Sequence, residues 1–229
     1  MNYHETDPEF MERFEHFAFV ETVNEENQTL EPKTRYMAIL AVLIGCQGTE
    51  AYREMLCKAL DGGVDPVEVK EIVYQSADYL GMGRMWPFLR ITNEVMTERG
   101  IKLPLENQAT TTFEDRLEKG AEAQAEIFGP QMREAWKNGH INRWLAANCF
   151  GDYYTRTGLD LAQREMITFC FLLAQGGCEP QLTAHAKGNM NLGNNKDFLM
   201  RIVSQCLPYI GYPRSLNAIS CINKAAENN

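Results

Sequence analysis

No CxxC pair occurs among the seven cysteines (46, 57, 149, 170, 178, 206 and 221), and their number is odd. A paired-thiol framework is therefore not expected, and free thiols in a reducing cytoplasm are the simplest reading. Basic residues are scarce: 22 Lys plus Arg stand against 31 Asp plus Glu, a formal charge of −9. Such a chain repels phosphate backbones and anionic membranes, so neither nucleic acid nor a membrane is an expected partner. Long apolar runs are also missing. The longest, Met37–Ile44, is far short of a bilayer span. The opening MNYHETDPEF is polar and acidic and does not read as a signal peptide. HExxH is absent, and no metal is expected.

Runs of short alternating strands are lacking too, and what fills the chain is helical spacing. Apolar residues at 10, 11, 14, 17 and 20 predict a helix over 8–20. Residues 33–45 read as a buried helix, 49–60 as a second, and Asp61-Gly62-Gly63 as its stop. Asp65-Pro66 is an N-cap with Pro at the first helical position, opening a helix to Leu80. Gly81 and Gly83 break it, and 86–99 resumes. Residues 101–112, with a Pro and three consecutive threonines, read as a linker. Helices over 113–128, 141–155 and 165–175 follow. The fold class is all-α, with two tandem helical units at 1–100 and 113–229.

The two units are copies. A shift of 130 residues lays Asp61-Gly62-Gly63 on Asn191-Leu192-Gly193, Tyr79-Leu80-Gly81 on Tyr209-Ile210-Gly211, and Arg84 on Arg214. The copies differ where chemistry could sit. Arg35, Gly48, Ala51 and Met55 in the first stand opposite Glu165, Cys178, Gln181 and His185 in the second.

In the second copy Gly176-Gly177 ends one helix and Pro180 suits the first turn of the next. Gln181 and His185, four apart, share a face of that helix. If the two helices pack antiparallel across the glycines, Glu165 comes near His185. A carboxylate beside an imidazole fixes its tautomer and favours the protonated ring, which suits a proton donor. The same two residues would also make an ordinary buried pair. Cys178 precedes a helix N-terminus, which favours an anion or a thiolate, and it reads equally as a structural thiol. Arg156, Arg164 and Arg214 are candidates to hold a carboxylate, or surface ion pairs. Of Phe150, Tyr153 and Tyr154, one tyrosine is a candidate to line the site. Asn189, Asn191, Asn194 and Asn195 read as turn and cap residues.

Three stretches in order, FGDYYTRTGLDLAQRE (150–165), GGCEPQLTAHAKGNMNLGN (176–194) and YIGYPRSLNAI (209–219), resemble the carboxymuconolactone decarboxylase family. Residues 34–81 are similar to the same domain in degenerate form. The resemblance implies a fold related to alkyl hydroperoxidase D, assembled in rings, with a trimer expected for a double-length chain. It implies Glu165 and His185 as catalytic residues and Arg164, Cys178 and Gln181 as substrate-binding ones. The implied reaction is decarboxylation of a small carboxylated lactone or related acid. The lactone carbonyl is the electron sink, so no cofactor is required. Peroxidase-type relatives need CxxC followed by His. Here Gln181 replaces the second cysteine, which removes the resolving thiol. A Cys178-dependent peroxidase and a non-catalytic small-acid-binding protein are the alternatives.

Overall fold

A computed structural model describes residues 2–227. Those residues form thirteen α-helices, two π-helical segments and one 3-10 segment, with no strand among them. Two short turns of helix, α1 (Tyr3–Thr6) and α3 (Thr22–Asn24), flank α2 (Pro8–His16) and a π-helical segment at Phe17–Glu21. The first unit then runs through α4 (Pro32–Gly45), α5 (Thr49–Asp61), α6 (Pro66–Leu80) and α7 (Met82–Glu98). After the irregular 101–112 stretch come α8 (Arg116–Phe128), the 3-10 segment Pro130–Asn138, α9 (His140–Trp144) and a longer π-helix, Leu145–Tyr154. The second unit repeats the four-helix set as α10 (Leu161–Gln175), α11 (Glu179–Asn191), α12 (Lys196–Ile210) and α13 (Tyr212–Glu227).

The 130-residue period holds in the backbone. Helix starts at 49, 66 and 82 recur at 179, 196 and 212. Gly81 and Gly211 stop corresponding helices at the same φ of 79°, a left-handed conformation that glycine adopts without strain. The caps keep their geometry while changing residue. Asp65 and Glu68 form a capping box at α6, and Asn195 accepts from the Phe198 amide at α12. Asp160 and Gln163 form another box at α10, so that helix begins at Leu161 and Glu165 lies in its second turn, not at its start. Likewise α7 begins at Met82 and carries Gly83 and Pro87 inside it, four residues earlier than the spacing predicts. Gly81 alone makes the turn.

Helices α4 and α10 pack against each other at the centre. Both are apolar nearly all round, as a helix enclosed on every side must be. A fully buried Leu or Ile contributes about 1.5–3 kcal/mol, and α4 alone carries Ile39, Leu40, Leu43 and Ile44 at 2% exposure or less. Their approach depends on Gly45, where a Cβ would lie 2.7 Å from the Ala174 Cβ and 2.8 Å from the Phe171 carbonyl oxygen. One apolar cluster continues through both units, from Met37 to Ala225. A smaller one joins α8 to the second π-helix through Ala123, Ile127, Cys149, Phe150 and Tyr154. Helix α8 accordingly turns Gly120, Ala121, Ala123, Gln124, Ala125 and Ile127 inward, so its acidic residues cover only the opposite face.

The units are also bolted crosswise by buried polar groups. Arg164 of α10 donates from Nη1 to Gln75 Oε1 (2.9 Å) and from Nη2 to Glu71 Oε2 (3.0 Å), both on α6. Gln75 returns Nε2 to the Arg164 carbonyl and to Thr168 Oγ1, each at 2.9 Å. At the corresponding place Gln205 of α12 accepts from Arg35 Nε of α4 at 2.7 Å and donates to the Gln28 carbonyl at 2.9 Å. Each unit's third helix thus grips the other unit's first. Breaking one partner of a buried ion pair costs about 3–5 kcal/mol, because the remaining charge loses its compensation. Arg164→Leu is expected to lower the unfolding free energy by that much, read from the urea midpoint and slope. A midpoint within error of the wild type would show that the clamp adds nothing to stability.

Candidate functional site

The turn Gly176-Gly177, with φ of 69° and 70°, reverses the chain between α10 and α11. It lays Glu165 against His185. Nδ1 of His185 is 2.8 Å from Oε2 and 3.1 Å from Oε1 of Glu165. The carboxylate is fully buried, whereas the His185 side chain keeps 12% of its surface. Nδ1 faces the carboxylate, so the opposite nitrogen, Nε2, is the one free to meet a ligand. It has no hydrogen-bond partner among the described residues.

The pair is held from several sides. Asn189, one turn beyond His185, donates Nδ2 to the backbone carbonyls of Glu165 (2.9 Å) and His185 (2.8 Å). Asn194 donates to Asn189 Oδ1 and to the Ala162 carbonyl, both at 2.9 Å. Asn191 holds the Ile127 carbonyl at the end of α8. These asparagines stitch α11 to its neighbours, and Asn195 caps α12. Gly188 makes room for the carboxylate. A Cβ there would come within 2.7 Å of Glu165 Oε2 and 2.9 Å of Ile127 and Phe128. The rings of Tyr79 and Phe128 meet the imidazole edge-on at 5.5 and 5.3 Å.

Behind the carboxylate runs a line of donors. Tyr154 Oη donates to Glu165 Oε1 at 2.8 Å. That commits its proton, so Tyr79 Oη (2.6 Å) and Thr168 Oγ1 (2.7 Å) donate to Tyr154 in turn. Cys149 Sγ donates to Tyr79 Oη at 3.6 Å. Burial pushes the phenols of Tyr79 and Tyr154 well above the usual tyrosine range, which keeps both as neutral donors. Asp78 precedes Tyr79 and approaches Cys149. Burial, reinforced by the charge of Asp152, pushes its carboxyl up to about 8. Its Oδ2 has no hydrogen-bond partner among the described residues.

The other candidates lie apart from this pair. Arg164 is fully enclosed, with Glu71, Gln75 and the carbonyls of Arg156 and Thr157 as partners, and has no face for a ligand. One residue of helix is about 100° of rotation, so Arg164 points to α6 while Glu165 points to α11. Arg156 grips Glu71 through Nε and Nη2. Cys178 is half-buried at the start of α11, its Sγ donating to the Leu172 carbonyl at 3.4 Å. Burial pushes its thiol up, Gln175 opposes, and Glu179 and Cys221 push it further up. An activated thiolate is not what this environment favours. Gln181 is exposed, one turn before His185. Arg214 reaches the α10–α11 turn, its Nε 3.5 Å from where a Cβ on Gly176 would lie. No group of three or more His, Cys, Asp or Glu gathers as for a metal among the described residues. Among the described residues, cavities of about 450–720 Å³ open elsewhere on the surface, and their walls do not include His185.

Sequence reasoning anticipated a tyrosine near the pair, and Tyr154 is the one brought there. It missed Tyr79, Phe128, Thr168 and Gly188. The position of Gly188, three residues after His185 on one helix face, was the available signal.

The sequence profile of the carboxymuconolactone decarboxylase family matches residues 8–94 and 140–224. The chain is also similar to the 4-carboxymuconolactone decarboxylase of Acinetobacter baylyi, 28% identical over 116 residues. That alignment spans 44% of this chain and 80% of the relative, about one repeat unit.

Asp78 makes stability depend on pH. Its folded value of about 8 lies above the ordinary 3.8, so the folded state keeps a proton that the unfolded chain releases. Its contribution is complete below about pH 4 and is lost as pH rises through about 8. Asp78→Asn is expected to flatten the fall in Tm between pH 5 and pH 9. Parallel Tm profiles for the two proteins would refute the assignment.

Proposed function

The chain belongs to the carboxymuconolactone decarboxylase family, and from that premise we propose a cofactor-independent decarboxylase acting on a small carboxylated lactone or related acid. His185 is the proton donor and Glu165 its positioning partner. The observation that carries this reading is the split environment of one ring: Nδ1 against a buried carboxylate at 2.8 Å, Nε2 on the partly exposed side.

The reaction follows from that arrangement. The carbon–carbon bond to the substrate carboxylate breaks and carbon dioxide leaves. The electron pair moves through the adjacent double bond to the lactone carbonyl, giving a dienolate. The imidazolium then delivers its Nε2 proton to carbon, and solvent returns a proton to the ring. Glu165 fixes the ring's orientation through Nδ1. Its other side-chain partner, Tyr154, is a donor, so the carboxylate keeps its place through the proton transfer. Gln181, one turn away, is suited to a substrate oxygen. The first turn of α11, roughly 10 Å from His185 by helix rise, offers amides and the nearby Arg214 to a carboxylate. The substrate-binding role expected of Arg164 passes in this reading to Arg214. The open face over His185 needs a further wall, and assembly of several chains would supply it. Ile141, Trp144 and Leu145, at 62%, 56% and 42% exposure, present one apolar face suited to such contacts.

Carbon dioxide release from 4-carboxymuconolactone and related carboxylated lactones tests the reading. His185→Ala is expected to lower kcat/KM by about 10²–10⁴, the usual worth of a general acid, with an unchanged helical circular dichroism spectrum. Turnover at the wild-type rate in that variant would remove His185 from the mechanism.

A further inference from the structure

A cavity of about 450 Å³ lies between α6, α7 and the 101–112 stretch, on the side of α6 that holds Glu71. Lys70, Tyr74, Asn93, Leu105, Gln108 and Arg156 are among its walls. Lys70 is only 7% exposed. Its Nζ donates to Asn93 Oδ1 and sits 5.5 Å from the centroid of the Tyr74 ring. No salt bridge to Lys70 occurs among the described residues. Arg156 lies over the same ring, also at 5.5 Å. Its Nε and Nη2 hold Glu71, and Nη1 has no hydrogen-bond partner among the described residues.

The charges here do not cancel. Glu71, 1% exposed, is shared by Arg156 and Arg164, and Lys70 has no carboxylate of its own. Three cations therefore face one buried anion, within a chain whose overall charge is −9. Glu106 is on the wall but exposed to water. An ammonium so buried without a counter-ion is unfavourable, and burial pulls its proton affinity down. The cationic end faces apolar walls from Val67, Leu103, Pro104 and Leu105. The volume falls in the range of small-molecule sites, roughly 300–1,000 Å³.

We propose that this cavity is a second binding site, for a small organic carboxylate whose charged end lies between Lys70 and Arg156 and whose apolar body lies against the 103–105 segment. It uses neither His185 nor Glu165 and does not depend on the decarboxylase reading.

Isothermal titration of the full chain with benzoate, succinate and inorganic phosphate tests the proposal. Saturable binding of benzoate or succinate is expected in the wild type and in His185→Ala. Lys70→Met should weaken it at least tenfold, and Lys70→Arg should retain it. Lys70→Met replaces a buried charge by an apolar chain of similar length, and its melting temperature verifies folding. A crystal soaked in benzoate is expected to show the carboxylate within hydrogen-bond distance of Lys70 Nζ. Absence of saturable binding by either carboxylate overturns the proposal, as does binding that Lys70→Met leaves unchanged. Binding of phosphate alone overturns the ligand class.

Discussion

The grip of Gln75 on Arg164 is the constraint from which the rest of the molecule follows. It crosses between units, it is sealed from water, and it fixes both the axial position and the rotation of α10. The counterpart grip of Gln205 on Arg35 fixes α4 in the same way. The two glutamines are 130 residues apart, but the arginines are 129 apart. In the first unit the arginine occupies the position that repeats as Glu165. In the second it stands one residue earlier. That single step leaves Arg164 facing α6, while Glu165, about 100° further round the helix, faces α11. A carboxylate can then be buried there, because His185, Tyr154 and the Gly188 gap are waiting for it.

The first unit is thus part of the site and not merely a worn duplicate beside it. Tyr79, on α6 of the first unit, walls the imidazole and extends the donor line behind Glu165. Gln75 and Glu71, one and two turns earlier on the same helix, hold Arg164 in place. One face of α6 therefore carries out two tasks on α10, and the candidate site lies at the seam between copies.

Much of this was legible in the sequence. The all-helical class, the 130-residue period and the antiparallel turn at Gly176-Gly177 follow from local spacing and helix stops, and they bring Glu165 to His185 without knowledge of the tertiary structure. The start of α10 was also written locally, as Asp160 with Gln163 three residues on, but the apolar periodicity beginning at Met166 masked it. Arg164 could not be placed this way. Nothing near it in sequence distinguishes a ligand-binding arginine from one enclosed by a helix 89 residues away. The walls from Tyr79 and Phe128 share that difficulty, since their contacts with His185 are set by the packing of α6 and α8. The π-helical register at 145–154 likewise depends on contact with α8. There Gly120 and Gly151 pass so closely that a Cβ on Gly120 would lie 1.9 Å from the Ala146 carbonyl oxygen.

The two copies can be compared position by position in their interior, and the comparison separates scaffold from chemistry. Met55 occupies the place of His185, and Tyr209 that of Tyr79. Tyr209 Oη meets the Met55 sulfur at 3.8 Å, just as Tyr79 meets the His185 ring. Arg35 fills the place of Glu165 and, across from it, lowers the Tyr209 phenol against the rise caused by burial. The same helix–helix contact is therefore made twice, once with a thioether and a guanidinium and once with an imidazole and a carboxylate. Packing alone tolerates either set. A thioether fills the space at no desolvation cost, whereas burying Glu165 is unfavourable unless it is paired and hydrogen-bonded. The second copy meets that cost with two side-chain partners, Tyr154 and His185, and a glycine. In the proposed reading, the proton donated from Nε2 of His185 is what this more expensive arrangement serves.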